Sequence, residues 1–538
     1  MKRWLPLILL ALLLAAAVSP ACAATKSVPI GEEALEVFPG RPLNVVNLYR
    51  VNQLFLPSYA DAQQVSEYAA SHKLDVKLYQ SSGLPTLYLQ TASGSEKKIH
   101  DSKKNEETGA MLLVDAEGNT LHMGALSQIR IRGNSTTMYS KKAYQIKLDA
   151  KADLLGMGKA KTWVLLANVI DGTLLRNTLA LNLARAAGLP FTSQCRAVDV
   201  YLNGEYKGNY LLCEKVQIGK ERIAINDLEE ETELLNGQDL STYGLVYGTA
   251  SQVGTPEESV TVTSRVKSLS KLPDWLKMKP GVWSARDIPL DPEDISGGYL
   301  LEVALKNNIS TPARFTCDSG WKLVIKEPEN ASQAQVLYIF GIFQRIDTAI
   351  TQGDWDTLSG LIDVDSWVGK YVYEELLANF DAGASSQYFY KASGDDKIYC
   401  GPVWDYDNIL GISSKMKNPE VLYLQDTPTA HVHYPYDLFL RVTQLEPFMA
   451  QARAMYRDVY RPLALSLLGE GEADTGLHSI AEEAAAISAS RDMNFLRWRH
   501  YHESRLTEIG DSEEEGLAYL TDFLRRRIAF LDSIWLTE

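Results

Sequence analysis

Residues 374–411 run EELLANFDAGASSQYFYKASGDDKIYCGPVWDYDNILG: a helix end, a loop with one acid, a hairpin, then a second acidic cluster. Upstream, Trp367, Val368, Tyr371, Val372, Leu376, Leu377 and Phe380 recur at three- and four-residue steps, the spacing of one buried helix face. Asp381 follows at once, and Gly383 is the residue expected to let the helix terminate. Tyr388–Lys391 and Lys397–Val403 are β-prone runs flanking Ser393-Gly394-Asp395-Asp396, a turn composition. Paired strands lie about 5 Å apart, so a hairpin returns its two ends to one place. Asp381, before the first strand, and Asp405 and Asp407, after the second, are therefore predicted to converge.

The chain around this stretch has 538 residues, enough for two or more domains or for two lobes. A hydrophobic content of 46% with 22% charged residues is that of a globular protein. A net charge of −15 with no Lys/Arg-rich run argues against nucleic acid as a partner. At the N-terminus, Lys2-Arg3 precedes an apolar run from Leu5 to Val18, and Ala21-Cys22-Ala23 supplies small residues for cleavage. This is the pattern of a signal peptide over 1–23, too short for a span of roughly 20 apolar residues. Cys22 is the alternative feature, a lipid-anchor cysteine, although Ser19 stands where an aliphatic residue is expected. No later stretch predicts a transmembrane helix. Cys195, Cys213, Cys317 and Cys400 form no CxxC and no zinc spacing, which leaves disulfides and buried free thiols both open.

In chain order, 24–83 is an N-terminal extension with helical character at Ala62–His72 and an extended run at Lys77–Tyr79. A sheet-rich part spans 84–225. Leu84–Gln90 and Ala110–Val114 read as strands, with Ser93–Thr108 a solvated, lysine-rich loop between them. Ile129 and Ile131 alternate with Arg130 and Arg132, and Tyr144, Ile146 and Leu148 alternate with Gln145 and Lys147. Lys142 falls on the apolar face, where a strand-end lysine snorkels outward. Asp171 is a candidate N-cap for a helix with Leu175, Leu179, Leu183 and Ala186 on one stripe, closed by Gly188 and Pro190. Asn203-Gly204, between Ala197–Leu202 and Tyr206–Glu214, predicts a hairpin with a type I′ turn. The stretch 226–296 has the composition of an insertion or irregular subdomain, and 297–538 carries the acids and a helical tail. Within that tail His431 and His433 lie on a loop and Ser512 opens a capping box.

HExxH, GxSxG, GxxxxGK[ST] and GxGxxG are all absent. What remains is Asp381 with Asp405-x-Asp407. Hard cations such as Mg²⁺ or Mn²⁺ bind through one or two carboxylates plus substrate phosphates. A separate aspartate can accept the proton of an attacking hydroxyl. Together with a lysine held as a point charge on phosphate, that is a phosphoryl-transfer layout. The acids alone suit equally a metal-dependent sugar-nucleotide transferase, a calcium site or a solvated turn.

Seven stretches taken in order narrow this choice. They are RIRGNST at 130–136, KKAYQIKLD at 141–149, WVLLANVIDGTLLRN at 163–177, VYLNGEYKGNYLLCEKV at 200–216, GGYLLE at 297–302, IKEPE at 325–329 and GPVWDYD at 401–407. In these the chain resembles the spore-coat-protein-H (CotH) kinase-like family. The resemblance implies an α+β, atypical protein-kinase-like fold of two lobes around an ATP cleft, the first sheet-rich and the second mainly helical. It implies an exported kinase, secreted, on the cell surface or in a spore coat, which transfers the ATP γ-phosphate to Ser/Thr of a Ser-rich or basic protein with Mg²⁺ or Mn²⁺. It places Asp381 as the catalytic base, Asp405 as the metal aspartate and Asp407 as a second metal ligand. Lys142 and Lys147, assisted by Arg132, fall on the nucleotide phosphates, with Lys326 a rival, and Glu214 falls at a hinge. Where ordinary kinases carry a metal-binding Asn five residues after the base, this chain has Ser386 and then Gln387, either of which is a candidate for a weaker metal ligand, Gln387 being the one assigned. The rival readings are a catalytically inactive CotH-like scaffold or binding protein, and adenylyl or glycosyl transfer at the same acids.

Overall fold

The computed structural model of the protein describes residues 81–133, 135–249, 261–266, 280–303, 311–379, 381–383, 386–413, 416–425, 438–471, 475–498 and 513–536. The signal-peptide stretch with Cys22, the 62–72 and 77–79 segments, His431, His433 and Ser512 lie outside the described residues. The chain divides into two compact units. The first comprises 81–170, 195–214 and 484–498 of the described residues, and the second takes up the rest.

The first unit is a closed barrel. Its strands are β1 (Thr86–Thr91), β2 (Glu107–Val114), β3 (Thr120–Arg132), β4 (Ala143–Asp153), β5 (Lys159–Leu166), β6 (Cys195–Leu202) and β7 (Glu205–Glu214). They run in the order β1-β2-β3-β4-β5-β7-β6 and close through a parallel pairing of β1 with β6, Leu87 opposite Val200. Closure removes the unpaired edges that an open sheet would leave. The alternation predicted for Ile129/Ile131 and Tyr144/Ile146/Leu148 fills the interior, together with Leu87, Leu89, Leu113, Trp163, Val198 and Leu212. Asn203 (φ 53°) and Gly204 (φ 84°) turn the β6–β7 hairpin with the two positive-φ positions that a type I′ turn requires. The expected solvated loop at 93–108 instead contains a helical turn, α1 (Lys97–Asp101). Its Ile99 is wholly buried in the barrel core, an apolar contact that pins a segment whose other residues are polar.

The second unit begins with α2 (Arg176–Ala186) and, after α3 (Leu228–Asn236), builds an eight-stranded sheet. Its strands are β8 (Leu245–Thr249), β9 (Thr261–Val266), β10 (Val282–Arg286), β11 (Tyr299–Val303), β12 (Arg314–Thr316), β13 (Lys322–Glu327), β14 (Tyr388–Lys391) and β15 (Tyr399–Cys400). The order is β15-β14-β11-β13-β12-β10-β8-β9. The helical ending of the chain is observed, but strands do not stop at the barrel: 226–296 supplies α3, β8, β9 and β10. Gly297 shows why glycine leads into β11, since a Cβ there would stand 1.9 Å from the Ser393 backbone nitrogen.

Helices α4 (Gln333–Gln352), α5 (Trp355–Leu361) and α6 (Val364–Leu376) separate β13 from β14. Helix α4 opens with a capping box between Ser332 and Gln335 and closes on left-handed Gly353. Beyond the acids come α7 (Leu438–Val442), α8 (Glu446–Met455), α9 (Arg461–Leu467), α10 (Ile480–Arg497) and α11 (Glu513–Trp535). Among the described residues no helix is long and apolar enough to cross a membrane. Cys195, Cys213, Cys317 and Cys400 are free and buried.

Candidate active site

The site is built outward from α6, whose stripe of Trp367, Val368, Tyr371, Val372 and Leu376 is fully buried. Into this apolar stripe the sequence sets Lys370 and Glu374, a helical i,i+4 pair and almost fully buried as well. Lys370 donates to Glu374 and to the Tyr406 hydroxyl at 2.7 Å, and Tyr406 donates to Glu374 Oε1 at 2.8 Å. Two buried charges are tolerable only with this degree of mutual satisfaction.

Helix α6 does not end at Gly383. Its last turn closes at Leu377, and Ala378 takes the left-handed conformation (φ 48°). The turn is held instead by Asn379, whose backbone N–H reaches Glu374 O at 3.1 Å and whose Nδ2 reaches Glu374 Oε2 at 2.6 Å. Asn379 Oδ1 in turn accepts the backbone N–H of Asp381 at 3.0 Å. Gly383 (φ 74°) turns the loop that follows. One carboxylate, Glu374, thus fixes Asp381 through Asn379 and fixes the Asp405–Asp407 stretch through Tyr406.

The hairpin acts as predicted, though its second strand is only Tyr399–Cys400 rather than all of Lys397–Val403. Phe389 lies opposite Cys400, and Gly401 N donates to Tyr388 O at 2.9 Å. Past these pairs the two ends meet: Ser386 Oγ lies 3.3 Å from Asp405 Oδ2. Both residues hold positive φ, 54° and 74°, a conformation that costs a non-glycine residue about 1–3 kcal/mol and clusters at functional sites. Asp405 is exposed, while Asp381 and Asp407 are part-buried.

Burial pushes the Asp407 carboxyl well above the usual range, and the neighbouring charges of Asp405, Asp381 and Asp171 push it further. Asp407 therefore lies within electrostatic reach of Asp405, Asp381 and Asp171. Asp171 was expected as a helix N-cap. The cap position is Leu175, and the Asp171 carboxylate instead takes four donors, Thr173 N and Oγ1, the Arg176 backbone N–H at 2.8 Å and Arg176 Nη1 at 2.5 Å. Arg176 carries the link on to the acidic stretch, donating to Ile409 O at 2.9 Å and Leu410 O at 3.3 Å. Asn177 Oδ1 accepts the Tyr406 backbone N–H at 2.9 Å.

Gln387 does not join the acids. Its side chain is buried, and its amide nitrogen Nε2 donates to Cys400 Sγ at 2.9 Å. Ser386 takes the left-handed conformation (φ 54°) just before β14, and its hydroxyl faces Asp405 while the Gln387 side chain turns inward. Among the described residues no three His, Cys, Asp or Glu side chains form a metal-holding group by themselves. Asp405 and Asp407 offer at most two carboxylates, the number through which a protein holds Mg²⁺ when phosphate oxygens and water complete its octahedron.

The residues assigned to phosphates and hinge lie in the first unit. Lys142 precedes β4, is part-buried and donates to Thr137 O at 2.6 Å; desolvation lowers its pKa. Lys147 is exposed on β4 opposite Thr162 and Gln128, and Arg132 ends β3 opposite Ala143. Glu214 ends β7 opposite Trp163, where the chain passes into the second unit. Lys326, the rival, belongs to the second unit and pairs with Glu302 at 3.3 Å. Sequence reasoning missed Lys141, which is 2% exposed and donates to Ala167 O at 2.7 Å and Asn209 O at 2.5 Å. It also missed Lys370, Glu374, Asp171, Arg176 and Asn177. A charged pair inside an apolar helical stripe was the available signal for the first two. For the others only the WVLLANVIDGTLLRN stretch pointed that way.

A family model described as CotH kinase protein matches residues 129–289 and 286–531, which takes in the barrel strands from Ile129 onward, the acids and most of α11. No curated protein matches the chain.

Proposed function

Because the chain belongs to the CotH kinase family, we propose that it is a metal-dependent protein kinase in which Asp381, Asp405 and Asp407 carry the transfer of the ATP γ-phosphate to a Ser or Thr hydroxyl. The observation that carries this reading is the carboxylate cluster itself. Asp381 and the Asp405–Asp407 stretch are held by the same buried Glu374, and burial, with the like charges of Asp405, Asp381 and Asp171 added, raises the pKa of Asp407. Repulsion of that kind is relieved by a cation, and a divalent ion on Asp405 and Asp407 would draw in the phosphate oxygens and neutralise charge there.

The remaining work falls to the chain's own side chains. Asp381, fixed through its backbone N–H, would accept the proton of the acceptor hydroxyl. That oxygen bonds to the γ-phosphorus as the bond to the β,γ-bridging oxygen breaks, and ADP leaves. The family resemblance assigns Lys142, Lys147 and Arg132 to the phosphates, and makes the barrel unit and the second unit the two kinase lobes. With Gln387 turned toward Cys400, the reading needs one metal ion rather than two. Export, with an acceptor outside the cytosol, belongs to the same proposal.

Incubating the mature protein with Mg²⁺ or Mn²⁺ and γ-labelled ATP tests it. Self-labelling or labelling of a Ser-rich or basic acceptor is expected, by a mass gain of one phosphate, and a loss of at least 100-fold in Asp381→Asn and in Asp405→Asn, the scale of a lost base or metal aspartate. Undiminished labelling in both variants sinks the assignment, a gain of one AMP indicates adenylyl transfer, and no labelling with no nucleotide-dependent thermal shift indicates a scaffold.

A further inference from the structure

The main chain after the acids is tied at two places by buried arginines, and each brings its own carboxylate. At the near end, Arg176, paired with Asp171, donates to the carbonyls of Ile409 and Leu410. At the far end, Arg527 of α11 donates through Nη1 to Pro419 O at 3.0 Å and to Val421 O. It also donates through Nε and Nη2 to Glu375 O, at 3.0 and 2.6 Å, and pairs with the Glu375 carboxylate. Glu375 completes the clamp by accepting the backbone N–H groups of Tyr423 at 2.7 Å and Leu424 at 2.9 Å. Both arginines and Glu375 are fully buried. Between the two ties, Tyr519 of α11 donates to Gly411 O at 2.9 Å, and Phe523 packs where a Gly411 side chain would stand, 2.4 Å from an added Cβ.

Phosphotransferases controlled by phosphorylation order the segment after the metal aspartate with arginines that wait for a phosphate. Here both arginines are already paired with Asp171 and Glu375, and each also donates to two or more main-chain carbonyls. The residue before Asp381 is Phe380, so the sequence sets no basic side chain there either. We propose that Arg176 and Arg527 are positioning residues that hold residues 405–413 and 416–424 in their working arrangement through folding alone, so that activity needs no activating phosphate. The proposal rests on the phosphoryl-transfer reading above for its activity arm, but not for its structural arm.

The experiment combines three measurements on the mature chain. Wild-type protein is treated with a phosphatase, shown by intact mass to carry no phosphate, and assayed for its initial labelling rate. A rate within twofold of untreated protein is expected, and a drop of tenfold or more overturns the proposal. Arg176→Lys and Arg527→Lys keep the charge but lose the planar fork. Each is expected to label at least tenfold more slowly and to need several-fold more metal for half-maximal rate, with limited proteolysis newly cutting within 405–424. Wild-type rate, metal requirement and cleavage pattern in both variants would overturn it. Cleavage read by mass spectrometry decides the positioning role even if the wild type transfers no phosphate, and in that event the kinase reading fails separately. If neither variant folds, the phosphatase arm on the wild type decides.

Discussion

Lys141 shows what a single buried charge does to this molecule. It stands beside Lys142, yet only Lys141 is enclosed, with its ammonium on two carbonyls and 4.7 Å above the Tyr210 ring. Desolvation pushes it down to about 7, partly opposed by the charge of Asp199. Below about pH 7 both folded and unfolded chains hold the proton, so the contribution is flat. Between about 7 and its usual value of 10.5 the unfolded chain keeps a proton that the folded chain has released, so stability rises with pH. Lys141→Met removes that slope. Urea unfolding at pH 7 and pH 9 should show the wild type gaining roughly 2 kcal/mol more than the variant over this interval. Parallel gains would show that Lys141 keeps an ordinary pKa in the fold.

The elements that depend on neighbouring residues were legible, and those that depend on distant ones were not. The β6–β7 turn is an example of the first kind, because Asn203-Gly204 carries its own conformational requirement. Gly204→Ala should cost about 1–2 kcal/mol, the penalty of a left-handed alanine, read as a lower denaturation midpoint with an unchanged slope. A loss of less than a few tenths would mean the turn relaxes to another type. The hairpin between Asp381 and Asp405 was legible on the same grounds, since its two strands and turn are contiguous. Gln387 was not, because which of two adjacent side chains faces the acids depends on the left-handed turn at Ser386 and on the Cys400 sulfur across the hairpin. Nor was Asp171. Its position suggested a cap, but the fork of Arg176 claimed the carboxylate, and that fork is aimed at carbonyls 233 and 234 residues away. The turn at α1 escaped for a similar reason, being held by one isoleucine that finds the barrel core.

At the scale of the whole molecule, the two units differ in what they bury and in what charge they concentrate. The barrel encloses one apolar cluster, while Asp171, Asp381, Asp405 and Asp407 all belong to the second unit. A chain with two such units need not unfold in a single step, so a ligand that binds only one of them acts selectively. A divalent cation bound at the acids, as proposed, would stabilise the folded second unit by RT ln(1 + [L]/Kd), about 2.7 kcal/mol at a hundredfold excess over Kd. Scanning calorimetry with and without Mg²⁺ or Mn²⁺ should therefore raise one transition and leave the other unmoved. Asp405→Asn should abolish the shift, and it should also start from a higher metal-free midpoint, because one of the charges crowding Asp407 has been removed. A shift that survives in Asp405→Asn would place the cation elsewhere on a surface whose net charge is −15. Equal shifts in both transitions would point to that diffuse charge rather than to a site, and such shifts would collapse in moderate salt, where exposed charges are screened within about 10 Å.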